Sequence, residues 1–340
     1  MMHNELKARG GVDRSGSFLR EEAGLLGLAT FRSCAPPARE ARVPFAFQLR
    51  YVLAMNQKTV AGVHPSHRDD IADLVTRRPV PGPKVEQVDP FLFLNHHGPQ
   101  TYPPNNRGLP FGPHPHRGFE TVTFILEGEL THKDSGGHES IIRAGGVQWM
   151  TAGAGLVHAE LSPEAFKRAG GPLEILQHWV NLPARLKMTQ PRYQGLQAGE
   201  IPVIETADGK AHVALISGEW AGRRGPAESI TGDFMTTIAA KAGARLDFGD
   251  LEGRNVFLYV VGGNVRVNGR NVAQHNLVEL SVAGDELTVE ATSAARLLFG
   301  HGDPIGEPVI AHGPFVMNTV DEIRQAIVDY QAGKFGAVPA

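Results

Sequence analysis

The run TVTFILEGEL at residues 121–130 has a counterpart in NVFLYVVGGNV at residues 255–265. Each is an apolar, strand-like stretch closed by glycine, Gly128 in the first and Gly262 in the second. Further short runs of the same kind surround both, ESIIRAGGVQWM at 139–150 and LVELSVAGDELTVEA at 277–291, broken by turn sequences such as DSGG at 134–137. Short strands recurring in two sets imply two antiparallel β-barrels or sandwiches in tandem. A content of 40 glycines and 24 prolines suits many turns better than long helices. One helix stands out near the end: Thr319 and Glu322 form a capping box, Ile323, Ala326, Ile327 and Tyr330 follow at helical spacing, and Gly333 stops it. Its expected role is to cover a barrel face. The fold class expected is therefore all-β, with two tandem barrels and a C-terminal helix.

The chain divides on this reading into a leader at 1–58, a first barrel at 59–182, a connecting region rich in Pro, Gly and polar residues at 183–232, a second barrel at 233–312 and a tail with the helix at 313–340. Residues 1–54 mix Gly, Arg and Ala without a sustained period, which predicts poor packing and either a disordered leader or an upstream extension ahead of Met55. Glu5, Asp13, Glu21, Glu22 and Glu40 argue against a mitochondrial transit peptide, and no charged n-region precedes an apolar h-region.

Composition excludes several classes. A net charge of −3 without a basic stripe gives no footprint for direct nucleic-acid contact. No apolar run approaches the ~20 residues of a membrane-spanning helix. The single cysteine, Cys34, excludes an intramolecular disulfide framework and a cysteine-rich zinc site. A cytoplasmic protein is the expectation.

Fifteen histidines are present, and two pairs of residues matter most. His114 and His116 stand one residue apart beside a strand-like run, and His158 and Glu160 repeat that spacing. Residues i and i+2 of a strand share a face, so each pair can converge on one point. Three imidazoles and one carboxylate suit Fe(II), Mn, Ni, Co or Cu and do not make a structural zinc site. An octahedral shell keeps two positions open, which means chemistry or substrate binding. Glu120 competes for the carboxylate position, because in an unbroken strand it has the parity of His114 and His116. In the second half, aligning Gly262 with Gly128 puts Phe248 and Asp250 where the histidine pair would stand, so that barrel is expected to be structural and free of metal.

Gly108, His114, His116 and Glu120 resemble the first cupin motif, and Gly155 with His158 the second. The longer strings HPHRGFETVTFILEGEL, VQWMTAGAGLVHAE, WVNLP, GPFVMNT and DYQAGKFG resemble the pirin family over roughly Val85 to Gly336. The resemblance implies a bicupin of jelly-roll barrels with one non-haem Fe(II) per chain in the N-terminal barrel, other divalent transition metals being alternatives. It carries over His114, His116, His158 and Glu160 as ligands, and leaves Glu120 as a second-shell candidate or a partner for Arg117. It implies two functions of different class. One is a flavonol (quercetin) 2,3-dioxygenase, with a flavonol-like substrate, O2, release of carbon monoxide and Glu160 as the catalytic base. The other is a non-catalytic, metal-dependent regulator that binds a protein partner, a transcription factor or a metabolic enzyme. The open coordination positions favour the enzyme. The chain departs from the family at Asn95 and His97, where an aspartate and an aromatic are commoner, and at Gly146, where an aspartate is usual. His96 and His97 are read as surface loop histidines, with a place at the pocket mouth as the alternative.

Overall fold

A computed structural model describes residues 56–338. The expected two barrels are present, each built from a seven-stranded and a four-stranded antiparallel sheet. In the first barrel the large sheet runs Arg192–Leu196, Val147–Thr151, Phe119–Glu127, Gly171–Asn181, Phe91–Tyr102, Thr76–Val80, His67–Arg68. Facing it, the small sheet runs Phe111–His116, Leu156–Leu161, Glu129–Asp134, Glu139–Arg143. The second barrel repeats the plan.

The two large sheets pack back to back. Alternation along each strand decides what lies there. Val122, Phe124, Val147, Trp149 and Leu176 of the first barrel meet Met235, Phe257, Tyr259 and Leu298 of the second in one buried core, with Phe91 and Phe257 edge to face at 4.7 Å. The barrel interiors differ. Apolar side chains fill the second throughout, Phe248 among them. In the first, a smaller cluster around Leu130, Ile142 and Ile175 occupies one end, and polar side chains occupy the other.

Strand pairing moves the expected boundaries. Val60–Pro65 pairs with Asn276–Leu280 and so belongs to the second barrel, with Val63 opposite Val278. The fold also begins before residue 59. Lys58 is 1% exposed, and its ammonium donates to the carbonyls of Arg254, Ser281 and Val282 at 2.7–3.0 Å. Lys58→Met should therefore lower stability by roughly 2–3 kcal/mol, because three carbonyls lose a charged donor; a urea melt of the full chain measures it. The leader expectation for residues 1–55 lies outside the described residues.

The region 183–232 carries strands of both barrels between its connecting turns. Arg192–Leu196 pairs with Val147–Thr151 of the first barrel, while Val203–Glu205 and Ala211–Ser217 extend the large sheet of the second. The tail crosses back. The Val316 amide donates to the Arg117 carbonyl at 3.1 Å, and Phe315, Ile323, Ala326 and Phe335 pack on Val157 of the first barrel. The helix runs Val320–Gln331 with the expected capping box at Thr319 and Glu322. Among the described residues no helix is long and apolar enough to cross a membrane.

Candidate metal centre

Phe111–His116 and Leu156–Leu161 pair antiparallel, with His114 opposite His158 and His116 opposite Leu156. That register brings the three imidazoles into a triangle. Ring centroids lie 4.8 Å apart for His114–His116, 4.4 Å for His114–His158 and 4.9 Å for His116–His158. One nitrogen of each ring lies within 4.8 Å of the other two.

The hydrogen bonds say which nitrogens are free. His114 Nδ1 donates to the Gly112 carbonyl at 2.7 Å, and His116 Nδ1 donates to the Pro314 carbonyl at 3.2 Å. A carbonyl can only accept, so both rings keep the lone pair on Nε2. His158 is buried, and neither of its ring nitrogens has a hydrogen-bond partner in the protein. Buried polar atoms left without partners are rare, and a metal answers one of them. Burial also depresses all three imidazoles. His114 falls below its usual value, the Gly112 carbonyl opposing the shift; His116 falls to about 3 and His158 well below, both lowered further by the neighbouring imidazoles. They are neutral at pH 7 and can bind a metal without first losing a proton. The donor set fits a divalent transition metal.

Glu160 stands beside this triangle. A register shift between His158 and Glu160 sets Glu160 opposite Phe111. Its Oε1 accepts from the Thr123 hydroxyl at 2.8 Å, and burial pushes its carboxyl up to about 7. It lines the cavity that His114 and His116 also line, but it is not within the 4.8 Å group formed by the three histidines.

Glu120 lies elsewhere, which corrects its reading as a second-shell residue. The strand is not continuous through Gly118, which has φ +90°. A Cβ there would stand 2.0 Å from the Val316 carbonyl oxygen. This break resets the alternation. Phe119 now faces His116 at 5.0 Å, and Glu120 falls on the outer face with Val122 and Phe124. There it is fully buried, accepts from the Thr151 hydroxyl at 2.6 Å, and is pushed up to about 7 by burial. Arg117 does not pair with it. The guanidinium donates to Asp329 at 2.8 Å and to the Ala154 carbonyl, and covers the Phe335 ring, tying the tail to the histidine strand.

His96 and His97 also differ from expectation. They are 0% and 1% exposed, inside the long strand Phe91–Tyr102 rather than on a loop. His96 faces the second barrel, between Tyr259 and Glu174. His97 lines the cavity over the histidines. Its Nδ1 meets the Thr76 hydroxyl at 2.8 Å, and that hydroxyl donates to Leu74. The bond therefore runs from His97 N–H to Thr76, and Nε2 is left as an acceptor.

The cavity is about 350 Å³. Phe93 and Trp179 stack at 4.6 Å and wall one side, with Phe111 also lining it. Arg78 lies 4.8 Å over Phe93 and donates to Asn95 Oδ1 at 3.0 Å. Sequence reasoning did not single out Thr123, Gln177, Arg78 or Phe93. Thr123 was legible in principle, since it is two strand positions on from Thr121 in an otherwise apolar run.

Comparison with known families matches residues 73–180 to Pirin and residues 235–336 to the Pirin C-terminal cupin domain. A pirin-like protein of Caulobacter vibrioides is 43% identical over 257 residues, 74% of this chain and 90% of that one. The crystal structure of quercetin 2,3-dioxygenase from Acinetobacter baumannii is 36% identical, with a TM-score of 0.78 over 83% of this chain and 99% of that one. The bacterial pirin YhhW of Escherichia coli, solved in complex with nickel(II), is 20% identical over 72% of this chain and 99% of that one, with a TM-score of 0.58, and shares the fold.

Proposed function

The chain belongs to the pirin family, and on that premise we propose that it is a metal-dependent flavonol 2,3-dioxygenase. One observation carries this reading: three neutral imidazoles, two of them buried, converge to within 4.8 Å beside a cavity that His114, His116 and the Glu160 carboxylate line together with the stacked rings of Phe93 and Trp179. His114, His116, His158 and Glu160 would hold the metal, taken here as Fe(II). Bound there, it would supply a Lewis acid for the substrate's oxygens and a redox partner for O2.

The protein's own groups do the rest. Phe93 and Trp179, stacked on each other, form an apolar aromatic wall beside which a planar ring can pack. Glu160, fixed at Oε1 by Thr123, offers its other oxygen to the proton of the substrate's 3-hydroxyl, within the reach general-base catalysis needs. His97 Nε2 accepts a further hydroxyl, and Arg78, beside Phe93, meets substrate oxygens together with Asn95. The overall change balances as one flavonol and one O2 giving one ring-opened ester and one carbon monoxide. A regulator would need the same ligands but would have no use for the aromatic walls.

The test is aerobic incubation of the iron-loaded protein with quercetin. Loss of flavonol absorbance with one carbon monoxide per flavonol is the expected result. An iron-loaded protein that leaves quercetin intact would remove the enzymatic reading in favour of the regulator.

A further inference from the structure

Gln148 is 2% exposed, and neither its amide nitrogen nor its amide oxygen has a hydrogen-bond partner in the protein. His158 is 1% exposed and has the same deficit at both ring nitrogens. Buried polar groups of this kind need an explanation, because each unanswered one is costly.

Both residues face one compartment. Val147 and Trp149 point into the core between the barrels, so Gln148 points the other way, into the first barrel. It stands opposite Thr123 in the strand pairing. The Thr123 hydroxyl reaches Glu160, two residues from His158.

Several other polar groups around that compartment already have partners. His132 lies 5.5 Å from His158, but its Nε2 is bonded to Asp134 at 2.9 Å. Asp134 also accepts from the Gly136 and His138 amides. The Tyr193 hydroxyl, on the ring stacked over His132, is bonded to Ser140 at 2.5 Å. Thr123 has one proton for Glu160 and Gln177.

The three histidines are also unequal. His114 and His116 each have a backbone carbonyl on Nδ1 that fixes the tautomer and the ring plane. His158 has no such partner. A metal takes one of its nitrogens; the other then carries the proton and needs an acceptor.

We propose that Gln148 is the positioning residue for His158, acting through one buried water that accepts from the His158 N–H and bonds the Gln148 amide. A buried water requires two to four polar partners in a polar site, which these groups supply. The proposal rests on the metal-centre reading and is independent of the substrate.

The experiment uses the full chain, stripped of metal, and Co(II) alone as the probe. Gln148→Met keeps the length and removes the amide. It should weaken Co(II) binding about 10- to 100-fold, the usual loss when a ligand's supporting partner is removed. It should not lower the melting temperature of the metal-free protein, since it deletes an unanswered polar group. Gln148→Asn keeps the amide and should recover most of the affinity. In the Zn(II)-loaded protein, proton NMR should show, among the signals of the other buried histidines, a slowly exchanging imidazole N–H from each of His114, His116 and His158, and Gln148→Met should remove the one from His158. Unchanged affinity with all three signals retained would overturn the proposal. So would an affinity loss matched by an equal loss of metal-free stability, which would mark a structural role. Flavonol turnover is not read, so an inactive protein leaves the result decisive.

Discussion

Glu160→Gln is expected to lower flavonol turnover by about 10²- to 10⁴-fold, the usual contribution of a general base. Glutamine keeps the size and one oxygen for the Thr123 hydroxyl to reach. It loses the charge and the capacity to take a proton. Three imidazoles remain to hold the metal, so metal content should fall less than turnover. Glu120→Gln is the control. Glu120 lies on the opposite face of its sheet, against Thr151, and its replacement should leave turnover close to wild type. If Glu120→Gln abolishes metal binding while Glu160→Gln is silent, the carboxylate has been assigned to the wrong strand. Rates under saturating flavonol, with metal content measured on the same samples, decide between these outcomes.

The second large effect is on stability. The three histidines come from two paired strands separated in sequence by four further strands and their turns, and the metal would clamp them together. At free metal about 1,000-fold above its dissociation constant, binding stabilises the folded state by about 4 kcal/mol. For a protein of this size that is on the order of 10 °C in melting temperature. Chelation should remove this increment from wild type. It should not move the His116→Ala, His158→Ala double variant, which lacks two of the three imidazoles. The variant's metal-free form need not be weaker than wild type's, because removing His158 also removes two buried ring nitrogens without partners. Equal chelator shifts in the two proteins would rule out this site as the origin of the effect.

The parts of the site that were legible in the sequence are those set by local geometry. A two-residue period put His114 and His116 on one face of a strand, and the same period coupled His158 to Glu160. The capping box at Thr319 and Glu322 gave the helix start for the same reason: its hydrogen bonds are made within one turn. What could not be read was set by distant parts of the chain. Gly118 takes a positive φ because the Val316 carbonyl, far along the sequence, packs where a Cβ would stand. That single residue moved Glu120 from the inner to the outer face. Val60–Pro65 carries no local sign that its partner is Asn276–Leu280. His96 and His97 looked like loop residues because NHHGP is polar and ends in proline, yet a twelve-residue strand runs through them. The aromatic walls of the cavity, Phe93 and Trp179, meet only because the strands carrying them pair in register.

On the proposed function, one metal per chain sits among His114, His116, His158 and Glu160. An anomalous-scattering map from a crystal of the metal-loaded protein tests it most directly. One peak is expected inside the first barrel, about 2.0–2.2 Å from a nitrogen of each of the three imidazoles and from a Glu160 oxygen. A fully loaded protein whose peak lies away from the three imidazoles would contradict it.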